Sequence, residues 1–253
     1  MRENGEKAVA LYQLAAQKNN AKAVYKLAVC YLDGVGVEKN EKKAQELFRD
    51  AVRLLTEHLD YDDDFEKTCL AWCYDQGYGV FPDYVQAVDL YKQAAVHGEV
   101  EAQVNLGYCY MNGRGVPQDP QIALDWYRKA AELKSALAQY ALGECYEQGI
   151  EGVLAKDISE AIKYYRLASD NGYKKAQCKL ATFHENGVDG VIGKDPAKAF
   201  ELYKNTAERG LPEAQHHLGR CYRDGLGITK DIGQAMRWLG KAERNGYSLK
   251  PAA

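Results

Sequence analysis

No stretch of this 253-residue chain approaches the roughly 20 consecutive apolar residues that a membrane-spanning helix needs. Nor does one sign of charge dominate. The 33 Lys and Arg and 36 Asp and Glu leave a formal net charge of -3, with the signs interspersed. Such a balance gives no electrostatic reason to expect nucleic acid or an anionic membrane as partner. The opening residues MRENGEKAV contain no hydrophobic signal-peptide core, and no Asn-x-Ser/Thr acceptor occurs. A cytoplasmic location is therefore expected, or a secretory or periplasmic one if a leader precedes these residues. No CxxC pair exists among the seven cysteines, an odd number. That argues against both a simple disulfide framework and a zinc site set by local spacing. No segment shows the apolar–polar alternation of a strand.

What the chain has is a repeat. AVYKLAVCYLDGVGVEKN from Ala23, EKTCLAWCYDQGYGVFPD from Glu66, AQVNLGYCYMNGRGVPQD from Ala102, AQYALGECYEQGIEGVLAKD from Ala138, AQCKLATFHENGVDGVIGKD from Ala176 and AQHHLGRCYRDGLGITKD from Ala214 share one frame. The spacings are 43, 36, 36, 38 and 38 residues. The 43 reflects an insert at Leu54 to Asp64, and each 38 a loop longer by two residues. Leu27, Leu70, Leu106, Leu142, Leu180 and Leu218 precede Tyr31, Tyr74, Tyr110, Tyr146, His184 and Tyr222 by four residues, which places each pair on one face of a first helix. Directly after each Leu stands Ala or Gly. Glycine within a helix costs about 1 kcal/mol relative to alanine, so a second helix is expected to pack too closely for anything larger. Five cysteines, Cys30, Cys73, Cys109, Cys145 and Cys221, occupy one column beside the Tyr and read as small packing residues.

Each first helix ends at a glycine suited to a left-handed cap: Gly34, Gly77, Gly113, Gly149, Gly187 and Gly225. Asn40, Asp83, Asp119, Asp157, Asp195 and Asp231 then supply N-caps for second helices, each worth about 1 kcal/mol over alanine. Helices of about 12 residues are marginal alone, so neighbouring pairs must shelter each other's apolar stripes.

This frame, seen most clearly in ALGECYEQG and NLGYCYMNGRGVPQDPQIALDWYRKAAE, resembles the Sel-one-like repeat (SLR) family, longer relatives of tetratricopeptide repeats. The resemblance implies an all-α fold, a right-handed α-solenoid superhelix, over 1–253 as a single domain. Residues 1–20 form a lone second helix, with repeats at about 21–64, 65–99, 100–135, 136–173, 174–211 and 212–247. It also implies a non-catalytic scaffold or adaptor that binds a protein or peptide, the alternative being a hydrolase of a cell-wall-type substrate. One bacterial branch staples its helices with paired cysteines; this chain lacks the second cysteine of each pair.

By the same resemblance, one stripe of each first helix faces a concave groove. The stripe gives Tyr25, Val29, Trp72, Val104, Tyr108, Met111 and Tyr140 as an apolar docking surface, and Glu144, Glu147, Glu185, Arg220 and Arg223 as its charge register. Trp and Tyr are enriched at interface hot spots. The rival reading is that curvature buries these residues between first helices. Uncapped terminal helices also allow end-to-end self-association.

No catalytic, cofactor or metal set emerges from the spacing. The GxG loops lack a preceding strand and a GK[ST] ending, and they recur at a turn in every repeat. Asp60, Asp62 and Asp64 alternate like the start of a calcium loop, but Phe65 and Ala71 stand where Gly and Glu are needed. Adjacent His216 and His217 point about 100° apart on a helix. Nothing in the sequence brings His97 to Cys178.

Overall fold

Helices account for most of the described residues, 2–58 and 62–248 of the computed structural model, and no strand occurs among them. The chain runs α1 (Arg2–Ala16), α2 (Ala21–Asp33), α3 (Glu41–His58), α4 (Asp64–Gln76), α5 (Tyr84–Val96), α6 (Val100–Asn112), α7 (Pro120–Glu132), α8 (Ala136–Gln148), α9 (Ile158–Asp170), α10 (Lys174–Asn186), α11 (Pro196–Glu208), α12 (Pro212–Asp224) and α13 (Ile232–Arg244). Even-numbered helices are the first helices of the repeats, and odd-numbered ones the second. The fold is all-α, a solenoid of helical repeats. The packing resolves into two units, Met1–Ala130 and Ala131–Ala253.

In the first unit, α2 packs on α1 and α3, and α5 on α4 and α6. Its core gathers Tyr25, Phe48, Leu55, Leu70, Tyr91 and Leu106. In the second unit α8 pairs with α9, α10 with α9 and α11, and α12 with α11 and α13. Tyr165 and Tyr203 are fully buried there. The insert near Leu54 lengthens α3 to 18 residues, against 13 in α5.

The caps follow from the residues. Asn40, Asp83, Asp119, Asp157, Asp195 and Asp231 each accept a backbone N–H three residues on, at 2.9–3.0 Å. Gly34, Gly77, Gly113 and Gly225 adopt the left-handed cap. Gly149 and Gly187 do not, having ψ of 165° and 162°. Their loops are the two with extra residues, which close instead through short bridges, Ile150 to Leu154 and Val188 to Ile192.

The small-residue column has the steric cause inferred above. A Cβ on Gly143 would lie 2.6 Å from the Tyr165 ring, and one on Gly219 2.7 Å from Leu239. Ala28, Ala71 and Ala181 are completely buried.

A hydrogen-bond ladder completes the stack. Gln103, Gln139, Gln177 and Gln215 donate to the carbonyls of Ala95, Ala131, Ser169 and Ala207 at the end of the preceding second helix. Three of these glutamines also accept a bond from the cap of their own second helix, from Asn171, Arg209 and Asn245. Gln139, Gln177 and Gln215 thus each tie three helices, the satisfaction that polar groups inside a fold require. The Gln103 carbonyl has no such partner; the equivalent sequence position is Leu133, which carries no donor.

Candidate functional site

The stripe expected to face a partner is divided by the structure. Tyr25, Val104 and Tyr140 are buried, at 4%, 7% and 9% exposure. For these three the docking role is corrected: they pack between helices. Tyr25 meets Phe48 and Trp72 edge-on, and Trp72 stacks on Tyr78 with ring centroids 5.0 Å apart. Tyr140 lies against Tyr165 and Tyr173. Val29 and Trp72 are partly buried against the same first-unit core.

Most of the charge register is likewise engaged within the fold. Glu147 accepts from the Tyr165 hydroxyl at 2.5 Å and pairs with Lys179 at 3.0 Å. Glu185 accepts from Tyr203 at 2.8 Å and pairs with Arg220 at 3.1 Å. Both are phenol–carboxylate–cation triads linking consecutive repeats, so Glu147, Glu185 and Arg220 are largely satisfied within the fold. Burial, then the carboxylates, raise the Tyr165 phenol; burial is likewise the first cause for Tyr203. Glu144 is engaged by Tyr140. Arg223 is exposed and pairs with its neighbour Asp224 at 2.8 Å.

In the first unit, two residues of the stripe stay accessible. Tyr108 is 46% exposed and Met111 half-buried. The Arg114 guanidinium sits 4.4 Å from the centre of the Tyr84 ring and 2.9 Å from the buried Asp75 carboxylate. Gly115 presses on the Tyr84 backbone, where a Cβ would stand 2.1 Å from the carbonyl oxygen. Tyr84 is exposed beside this loop, as are its sequence neighbours Val85 and Phe81, the last at 91%. Sequence reasoning missed Phe81 and Val85. A signal existed: Phe81 occupies a loop position held by Glu38, Pro117 and Thr229 in other repeats.

The remaining chemical candidates are mostly accounted for by packing. All seven cysteines are free, and all but Cys145 are buried. Burial pushes the thiols of Cys73, Cys109 and Cys221 up to about 12 and that of Cys145 to about 11. Protonated thiols are poor nucleophiles. His97 pairs with Asp64 at 3.0 Å, and Asp63 caps α4 while pairing with Lys22; Asp60 lies outside the described residues. Hollows of about 550 Å³ formed by the loops 148–156 and 186–194 contain no Ser, Cys or His. Cys178 lies beside Glu213 and His217.

A family model described as the Sel1 repeat matches residues 1–20, 21–54, 70–98, 100–135, 136–173, 174–211 and 212–247. Among solved structures, the chain is similar to a Sel1 repeat protein from Oxalobacter formigenes, with a TM-score of 0.69 and 32% identity over 79% of this chain and 78% of that one. It is also similar to c5321, described as a protective antigen of uropathogenic Escherichia coli displaying an SLR fold. There the TM-score is 0.64 and identity 29%, over 94% of this chain and 49% of that one. Immunity protein Pa5087 from Pseudomonas aeruginosa shares the fold at a TM-score of 0.59 and 21% identity, over 89% and 81% of the two chains. No curated protein sequence gives a match.

Proposed function

The chain belongs to the Sel1-repeat family, and from that premise we propose that it is a non-catalytic scaffold whose first unit docks an apolar or amphipathic segment of a partner protein. Sel1-repeat proteins generally mediate protein–protein interaction, and their fold is typically a non-enzymatic scaffold. The observation that supports this surface is the joint exposure of Phe81, Tyr84, Val85 and Tyr108 beside Arg114. Contiguous exposed apolar surface marks interaction sites, whereas scattered single residues do not. Tyr108 and Met111 are retained from the stripe first inferred, while Phe81 and Val85 extend it.

A paired binding measurement tests the reading. A partner is captured from the native source, purified, and titrated against the unsubstituted chain, a Phe81→Ser, Tyr108→Ala variant and a Met236→Ser control. Met236 is 71% exposed in the second unit. The double variant should keep its melting point and weaken binding by about 2 kcal/mol or more, the scale of aromatic hot spots. Unchanged affinity in that variant rules this surface out.

A further inference from the structure

Cys178, Glu213 and His217 converge in the second unit. Glu213 and His217 stand four residues apart on α12 and so share a face; Cys178 lies on α10, the first helix of the preceding repeat. A sulfur, a carboxylate oxygen and an imidazole nitrogen, one from each, all lie within 4.8 Å of one another. Three atoms so placed have a common point no more than about 2.8 Å from each, which is 4.8 Å divided by √3. Zinc bonds to these donors are about 2.0–2.3 Å long. An inward movement of about half to three-quarters of an ångström per ligand closes the gap. Glu213 is exposed and free to swing, while stacking on Tyr203, 4.7 Å between centroids and 3° from parallel, already fixes the His217 ring.

We propose that Cys178, Glu213 and His217 bind one zinc(II) ion between consecutive first helices. The donor set selects the metal: calcium and magnesium take oxygen ligands, whereas sulfur with imidazole suits zinc. Three protein ligands leave the fourth tetrahedral position to water. Binding releases one proton, from the Cys178 thiol to solvent; the carboxylate and the neutral imidazole release none.

One neighbour opposes the ion. Arg220 Nη1 lies 3.2 Å from His217 Nδ1. A metal on Nδ1 displaces the guanidinium, and a metal on Nε2 turns Nδ1 into a donor facing a cation. Metal-bound histidines ordinarily point the other nitrogen at an acceptor. Arg220 thus sets the affinity, and Glu185 retains its other arm at 3.1 Å.

The test uses the reduced, chelator-treated full chain, titrated with cobalt(II) and then zinc(II). Expected are one equivalent bound, a thiolate-to-cobalt charge-transfer absorption, and its loss on adding zinc. Glu213→Gln should weaken binding about tenfold or more, and Arg220→Gln, which supplies an acceptor to Nδ1–H, should strengthen it by a similar factor. Cys178→Ser should abolish the absorption, and Cys145→Ser should leave it. Because Cys178 is buried, Glu213→Gln is the variant free of folding effects. No absorption in the unsubstituted chain, or unchanged affinity in Glu213→Gln, overturns the site.

Discussion

Replacing Gly227 by alanine should destabilise the second unit by about 2–5 kcal/mol, the sum of a left-handed backbone penalty and forced displacement of a packed neighbour. Gly227 has φ of +71°, and a Cβ there would sit 2.0 Å from the carbonyl oxygen of Pro196 and 2.4 Å from its carbon. Both are backbone atoms at the start of α11, so no rotamer change relieves the clash. The loop after one first helix lies directly on the preceding second helix, and only glycine allows that approach. Gly152 and Gly190 supply the internal control. They share the same φ of +71° but meet nothing within 4 Å, so alanine there should cost only about 1–2 kcal/mol. Urea unfolding of the three variants separates the two contributions. Equal losses at all three sites show that the loop-on-helix contact adds nothing.

Trp72→Ala should cost about 3 kcal/mol of stability, the lower end for removing a large buried aromatic, because Trp72 is only partly buried. Its ring touches Tyr25, Phe48 and Tyr78 at centroid distances of 5.8, 5.6 and 5.0 Å. Pairs of this geometry add to the loss from burial alone. Tyr108→Ala, at a 46% exposed residue on the following first helix, should fall within about 0.5 kcal/mol of the unsubstituted chain. Thermal melts of the two variants check the contrast. If Trp72→Ala leaves the melting point unchanged, the ring cluster is not core, and Trp72 returns to the docking surface.

The fold was legible because the repeats state nearly the same requirements: Leu followed four residues on by Tyr or His, a small residue beneath a neighbouring side chain, glycine out, Asp or Asn in. The partition of the first-helix stripe was less so. Its 100° periodicity groups Tyr25, Val104 and Tyr140 with Tyr108 and Met111, yet the first three are buried and Tyr108 is not. A helix in a stack has two covered faces, one for its own partner and one for the next repeat, and periodicity alone finds only the apolar arc. The recurring apolar residue in that column was itself the sign of a second packing face. The triads of Tyr165, Glu147 and Lys179, and of Tyr203, Glu185 and Arg220, were hidden for another reason. Their members come from three helices at separations of 18 and 32 or 35 residues, which no local pattern reports. The glutamine ladder stood in plain view as Ala-Gln in four repeats, but its carbonyl partners belong to the preceding second helix.

A single excised repeat is the most direct test that neighbouring repeats supply the surface each short pair lacks. Residues 174–211 hold α10 and α11, each 13 residues long. In isolation α11 loses the Gly227 loop packed on its start, and both helices lose the glutamine bonds to the adjacent repeats. The far-ultraviolet circular dichroism of this peptide should show little helix and no cooperative melt, while the full chain shows both. A peptide that folds alone with a sharp transition contradicts the account.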